Sequence, residues 1–378
     1  MLATLLERYR HLPAQRSAQW YKNRLTSIGG SELATLLGLN KYQTIEKFLT
    51  SKIYSEREDN NNFKWGILFE PVHTIIMENR VNATIYDIGS VPWKDDSTGY
   101  RTSPDGLFET NLGELMARLP LTSSDIDLST IDPNKKDIFV LELKAPIGRA
   151  LTPTVPEMYI PQLESEMCII PEVSYALFSE CIFKRCTMQQ FNIGNREFVK
   201  SASFFTNDKY IGGQPLINGL IYIQTNENTS EDLYRHYTKS SEFTRYDGVV
   251  DFGTVSIDDF YLLIDCITNR ELTPIYTFNN ETCKFDKEYV GESTSKFAHT
   301  IGVIPWKVYD ISYHLMTKNP TYIEDNWPII SKTLDTIHTL QKELENCSVD
   351  DINENGRIDS IDDQIASAAK LIKKLRNN

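Results

Sequence analysis

No run in this 378-residue chain approaches the about 20 consecutive apolar residues that a bilayer-spanning helix requires, which argues against a membrane protein. Positive charge is in deficit: 39 Lys and Arg face 52 Asp and Glu, a net charge of −13. That balance weighs against non-specific nucleic-acid binding, yet a basic channel can coexist with an acidic exterior. A site that holds a metal must itself collect carboxylates. The six cysteines (Cys168, Cys181, Cys186, Cys266, Cys283 and Cys347) form no CxxC pair. Their scatter argues against a zinc ribbon or an iron–sulfur cluster. No GxxxxGK[ST] segment exists, so ATP hydrolysis by a P-loop is not expected. The opening MLATLLERYRHL is too charged for a signal-peptide core, so a cytosol-like compartment with reduced thiols is expected. What remains is ordinary for a globular protein: 40% hydrophobic, 24% charged, and 11% aromatic residues that mostly serve a core.

Apolar periodicity predicts short helices over residues 1–50, broken at Gly29-Gly30-Ser31, where Ser31 reads as an N-cap. A helix is predicted from Phe63 to about Asn79. Strand-like runs follow at 83–93, 99–103, 106–110 and 138–144, then a helix over 160–170 and a strand over 173–182. The stretch 111–137, rich in Ser, Thr, Asp and Pro, reads as a surface insertion between paired strands. Later come a strand at 219–224, a turn at Asp247-Gly248, a mixed segment at 302–316 and a long amphipathic helix at 327–345. The order predicts an α/β fold, a mixed central sheet flanked by helices.

Ile138-Phe-Val-Leu-Glu142-Leu-Lys144 carries the chemistry. Alternation along a strand sends Glu142 and Lys144 to one face. Two charges in an apolar strand are costly unless something pairs them. A cross-strand ion pair at a sheet end would account for this segment about as well as a site. Ser103-Pro104-Asp105-Gly106 interrupts the preceding strands and can aim Asp105 out of the ladder, although Asp-Gly is also common in plain hairpins. Together the segments give two carboxylates and a lysine, a hard-oxygen set suited to Mg²⁺.

With these segments in hand, the chain resembles the lambda-exonuclease-like, or YqaJ-type, viral recombinase nucleases of the PD-(D/E)xK superfamily. QRSAQWYKNRLTSIGGSELATLLGLN carries Trp20, Arg24, Gly29, Gly30 and Ser31 of the opening motif, and KWGILFEPV carries an acidic residue, Glu70. TSPDG and LELK resemble the catalytic segments, and MYIPQLESEM the following helix with Gln162. DFGTVSIDDF and PWKVYDISYHLMTKNPTYIEDNWPII further resemble the lambda-type exonuclease of asfarviruses and other large cytoplasmic DNA viruses. The resemblance implies a PD-(D/E)xK nuclease core over residues 1–225, a packed C-terminal extension over 226–346, and an acidic linker with a terminal helix over 347–378. It implies a Mg²⁺-dependent 5′→3′ exonuclease on double-stranded DNA, with Mn²⁺ able to substitute, leaving 3′ tails for recombination or repair. Asp105, Glu142 and the Leu143 carbonyl would bind metal, Glu70 and Gln162 would assist, and Lys144 would serve the nucleophile. Arg24, Ser31 and Ser103 would hold the 5′-phosphate. The partners implied are a single-strand annealing protein and further copies of the chain in a trimer, in host cytoplasm or a viral factory.

Two departures stand out. Glu164 occupies a position where many relatives carry a second Gln, and the insertion between Asp105 and Glu142 is long. Glu70 and His73 form an ExxH pair, but a single copy favours a structural His. Asp351–Asp362 matches a calcium loop with Gly356 at its sixth position, against a solvated acidic linker as the plainer reading. No matched motif lies in residues 348–378, so their deletion is expected to leave the chemistry measurable. The alternatives are a structure-specific endonuclease on the same core and a catalytically inactive interaction protein. The intact Asp105, Glu142 and Lys144 set speaks against the second.

Overall fold

The computed structural model describes residues 1–56, 60–121, 132, 135–192, 217–279, 284–290, 299–348, 351–353 and 355–376. Four helices come first: α1 (Leu2–Tyr9), α2 (Ala18–Thr26), α3 (Gly30–Leu36) and α4 (Ile45–Ile53). The long α5 (Asn61–Val81) follows. Most of the strand expected over 83–93 is irregular: only Val91–Pro92 (β2) is strand, and Tyr86 makes a lone bridge to Leu107. Gly89, at φ 70°, turns the chain there, and a Cβ would meet the Pro13 carbonyl at 2.5 Å. β2 joins β3 (Tyr100–Thr102) and β1 (Ile28–Gly29) in a small sheet.

The main sheet holds β4 (Gly106–Asn111), β5 (Lys136–Lys144), β6 (Val173–Arg185), β7 (Asn218–Thr225), β10 (Leu272–Asn279), β11 (Lys284–Val290) and β12 (Thr300–Thr317), in the order β11-β10-β7-β12-β6-β5-β4. β5 and β6 run parallel and the other neighbours antiparallel. The hairpin of β8 (Arg245–Tyr246) and β9 (Val249–Asp251) joins its flank through β12, and its Asp247-Gly248 turn has both residues at positive φ, as a tight hairpin demands. The segment expected to be mixed is the single strand β12, which absorbs a register shift between Val308 and Asp310. In the 111–137 insertion, α6 (Leu112–Arg118) buries Leu112 and Leu115, and Asn111 pairs with Lys136. Most of the rest of that insertion lies outside the described residues.

Alternation along β5 divides the core. Phe139, Leu141 and Leu143 face one side with Phe69, Phe183 and Trp306. Ile138 and Val140 face the other with Leu33, Phe48, Leu163 and Ile330. α5, α6, α8 (Met188–Asn192), α9 (Glu231–Lys239) and α10 (Ile257–Thr268) complete the series before the C-terminal helices. The second side is covered by α3, α4, α7 (Ile160–Ile169), α11 (Tyr322–Glu345) and α12 (Asp359–Arg376). In α12, Ile361, Ile365, Ala369 and Ile372 are buried in the same core as α3 and α4. Among the described residues no helix is long and apolar enough to cross a membrane.

Candidate active site

Antiparallel pairing sets Gly106 opposite Leu141, which brings the Pro104-Asp105 bend beside Glu142 at the end of β5. Asp105 Oδ2 accepts the Leu143 backbone N–H at 2.7 Å, so one carboxylate is locked to the strand that carries the other. Gln15 fixes the bend from outside, donating its Nε2 to the carbonyls of Ser103 at 2.9 Å and Pro104 at 3.2 Å. Glu142 is 1% exposed and pairs through Oε1 with Lys144. Gln162, on the first turn of α7, faces Glu142 and donates to Glu166 Oε1 at 3.0 Å. Glu166 is itself fully buried.

These carboxyls crowd one another. Asp105 keeps an edge toward solvent, yet burial of its carboxyl, then the fields of Glu142 and Glu70, push its pKa well above the usual range. Burial also raises Glu142, against the opposing pull of Lys144. Burial and then the neighbouring Glu142 raise Glu166 well above its ordinary value. For Lys144, burial disfavours the charge, but Glu142 and Asp105 outweigh it and the ammonium is held more firmly. Two buried oxygens, Glu142 Oε2 and Glu166 Oε2, have no hydrogen-bond partner. Uncompensated buried oxygens of this kind are what a hard divalent cation would satisfy, so the donor set suits Mg²⁺. As the side chains stand, among the described residues no group of three or more His, Cys, Asp or Glu converges closely enough to hold an ion. Glu70 is drawn to Arg16 and Glu142 to Lys144, so binding requires these side chains to exchange partners.

Arg24 and Ser103 are linked through Trp20, and the Gly29–Arg101 pairing of β1 with β3 brings the segment before Ser31 beside the segment before Ser103. The Trp20 indole Nε1 donates to Ser103 Oγ at 3.1 Å, and the Arg24 guanidinium lies 5.1 Å from the Trp20 ring centre. Arg24 Nη2 is 3.2 Å from Glu32 Oε1. Lys52, 3% exposed, holds Glu32 Oε2 at 2.8 Å and also donates to the carbonyls of Arg24 at 2.6 Å and Ser27 at 2.8 Å. Ser31 is exposed and is not the N-cap expected of it. Gly29 caps α3, and Glu32 reaches back to accept its N–H at 2.8 Å. Part of the anion-binding capacity of that helix start is thus already used by Glu32.

His73 sits 1% exposed against Ser179 Oγ at 2.9 Å, and burial lowers its pKa to about 3, so it is a neutral structural residue. Glu164 points away from the site: its Oε2 accepts the Asn319 N–H at 2.9 Å and anchors the approach to α11. Around 351–362 the described side chains bind one another, Asp351 to Ser348 and Asn353 to Asp359, while Glu354 lies outside the described residues. Sequence reasoning missed Gln15, Arg16 and Glu166. Glu166 was findable: it follows Gln162 by four residues, one helical turn on the same face, whereas Glu164 at a spacing of two faces elsewhere.

Residues 19–171 match the model of the YqaJ-like viral recombinase domain. A protein of African swine fever virus, isolate Tick/Malawi/Lil 20-1/1983, is 26% identical over 353 residues, covering 90% of each chain. The same protein from strain Badajoz 1971 Vero-adapted is 26% identical over 354 residues with the same coverage. The crystal structure of an alkaline exonuclease, LHK-Exo from Laribacter hongkongensis, aligns with 43% of this chain and 73% of its own, at 16% identity and a TM-score of 0.30. The chain is thus similar to the YqaJ-like viral recombinase domain over residues 19–171 and, along 90% of its length, to that African swine fever virus protein.

Proposed function

We propose that this chain is a nuclease of the lambda-exonuclease type, a Mg²⁺-dependent 5′→3′ exonuclease on double-stranded DNA. The observation that carries this reading is the convergence of Asp105, Glu142 and Lys144 across β4 and β5, with a buried Glu142 oxygen left unpartnered. The recombinase-domain match spans all of these residues. Asp105, Glu142, the Leu143 carbonyl and Glu70 would hold the cation, which supplies charge neutralisation at the phosphodiester and a more acidic attacking water. Lys144 stays protonated beside the carboxylates and orients the nucleophile or meets the developing charge. Gln162 keeps Glu142 aligned from α7.

Arg24, Ser31 and Ser103 would anchor the 5′-phosphate, with Trp20 bracing both Arg24 and Ser103. Ser103 lies two residues before Asp105, so the anchor sits within about a nucleotide of the scissile bond. Resection in this direction leaves 3′ tails suited to an annealing protein, in the cytoplasm or a viral factory, and further copies of the chain could encircle the duplex as a trimer. Digestion of linear against nicked-circular duplex, with Mg²⁺ and with a chelator, tests the reading. Metal-dependent loss of linear duplex alone, or from nicks in one direction, is expected. Internal cutting of intact circles would overturn it in favour of an endonuclease.

A further inference from the structure

Arg16 lies outside the matched recombinase segment and carries two unusual features. Its backbone adopts φ 62°, a left-handed conformation that non-glycine residues rarely hold without surrounding restraint. The restraint is visible on both sides. Gln15 is tied to the Ser103 and Pro104 carbonyls, and Ser17 caps α2 by accepting the Trp20 N–H at 3.2 Å. The conformation aims the Arg16 guanidinium into the site, where it pairs with Glu70. It joins Lys144 as a basic side chain whose field reaches Asp105. The Arg16 side chain is 36% exposed and that of Glu70 29%. An ion pair this open contributes little to stability and does not account for a strained backbone. A group held at the rim of a carboxylate-lined site, with one side open, is instead placed to meet an incoming anion.

We propose that Arg16 is a phosphate-binding residue for the DNA substrate, held on Glu70 until the duplex arrives. The guanidinium fork matches two oxygens of a phosphodiester as well as two of a carboxylate. Exchange from Glu70 to the backbone would release Glu70 toward the cation site as substrate docks. This inference rests on the nuclease reading.

The test is duplex binding measured by fluorescence anisotropy with full-length protein disabled by Glu142→Gln, over a salt series. Adding Arg16→Gln should weaken binding roughly tenfold and reduce the slope of log affinity against log salt by about 0.9, the signature of one lost phosphate contact. Arg16→Lys should keep the slope, since the charge remains. Glu70→Gln should tighten binding more when Arg16 is present than when it is Gln, because only then is a competitor removed. Calorimetric titration with Mn²⁺ alone should show equal or tighter binding in Arg16→Gln, as Glu70 is freed. Unchanged affinity and salt slope in a folded Arg16→Gln protein would overturn the inference while leaving the nuclease reading intact. If Arg16→Gln fails to fold, absence of the Glu70 coupling in an Arg16→Lys background would overturn it. Failure of the parent protein to bind duplex at all would overturn the nuclease reading itself.

Discussion

At the scale of residues, the site is a set of like charges held together against their repulsion. Removing Asp105 or Glu142 as Ala should abolish Mg²⁺-dependent cleavage, on the order of 10³-fold or more, since the cation's charge stabilisation is worth several kcal/mol. The same variants should melt no lower than wild type without metal, because one buried carboxylate no longer opposes the others. Near wild-type cleavage in either would remove these residues from the chemistry. Lys144→Ala should lower turnover by about 10²–10³-fold while Mn²⁺ binding by calorimetry is kept or tightened. A lost isotherm would mean that Lys144 chiefly holds Glu142 in place. The raised carboxyls also fix a pH dependence. Folded Asp105, Glu142 and Glu166 keep protons that unfolded carboxyls release at about pH 4. Their contribution to metal-free stability is therefore greatest below that range and declines as pH rises toward the raised folded values. A divalent cation replaces those protons, so its gain in melting temperature should grow from about pH 5 to pH 8. A gain independent of pH would contradict the shared site.

At the scale of elements, the strands that carry the candidate site were legible and their supports were not. Alternation placed Glu142 and Lys144 on one face of β5, and the Pro104-Gly106 bend marked Asp105 as displaced, because those signals are local. The N-cap of α3 was misread as Ser31, since the residue that satisfies the helix start is Glu32, reaching back from inside it. Gln15 and Arg16 were invisible for a different reason: their importance lies in contacts across 88 residues for Gln15 and 54 for Arg16. α11 shows the same non-locality. Gln341 Nε2 donates to the carbonyls of Leu25 at 3.1 Å and Lys52 at 3.2 Å, and His338 Nε2 meets the Thr26 carbonyl at 3.2 Å. The end of α2 that carries Arg24 is thus clamped by a helix distant in sequence, 312 residues on from Thr26 at His338. Gln341→Ala should raise KM for 5′-phosphorylated duplex more than it lowers kcat. Unchanged kinetics would show that Lys52 and Glu32 hold Arg24 unaided.

At the scale of the whole molecule, the expectation that residues 348–378 are dispensable meets the packing of α12. Ile365, 1% exposed, lies in the core shared with α3, α4 and α7, and its truncation to Ala should cost about 2–5 kcal/mol in urea unfolding. Deleting the helix should unfold or greatly destabilise the side of the sheet that bears Gln162 and Glu166. A stable, active truncation would contradict this packing. The net charge of −13 is compatible with a DNA substrate only if contacts are concentrated near the site, where Arg16 and Lys144 gather at the carboxylates and Arg24, paired with Glu32, stands against the Trp20 that holds Ser103. The central claim is that this gathering reads a free 5′ end. The most direct measurement is the initial digestion rate, in Mg²⁺, of one linear duplex bearing 5′-phosphate or 5′-hydroxyl ends, with wild-type protein and with Arg24→Ala. Faster loss of the phosphorylated duplex from its 5′ ends, with most of that advantage gone in Arg24→Ala, is expected. Equal wild-type rates on both substrates, or digestion from the 3′ end, would contradict the account.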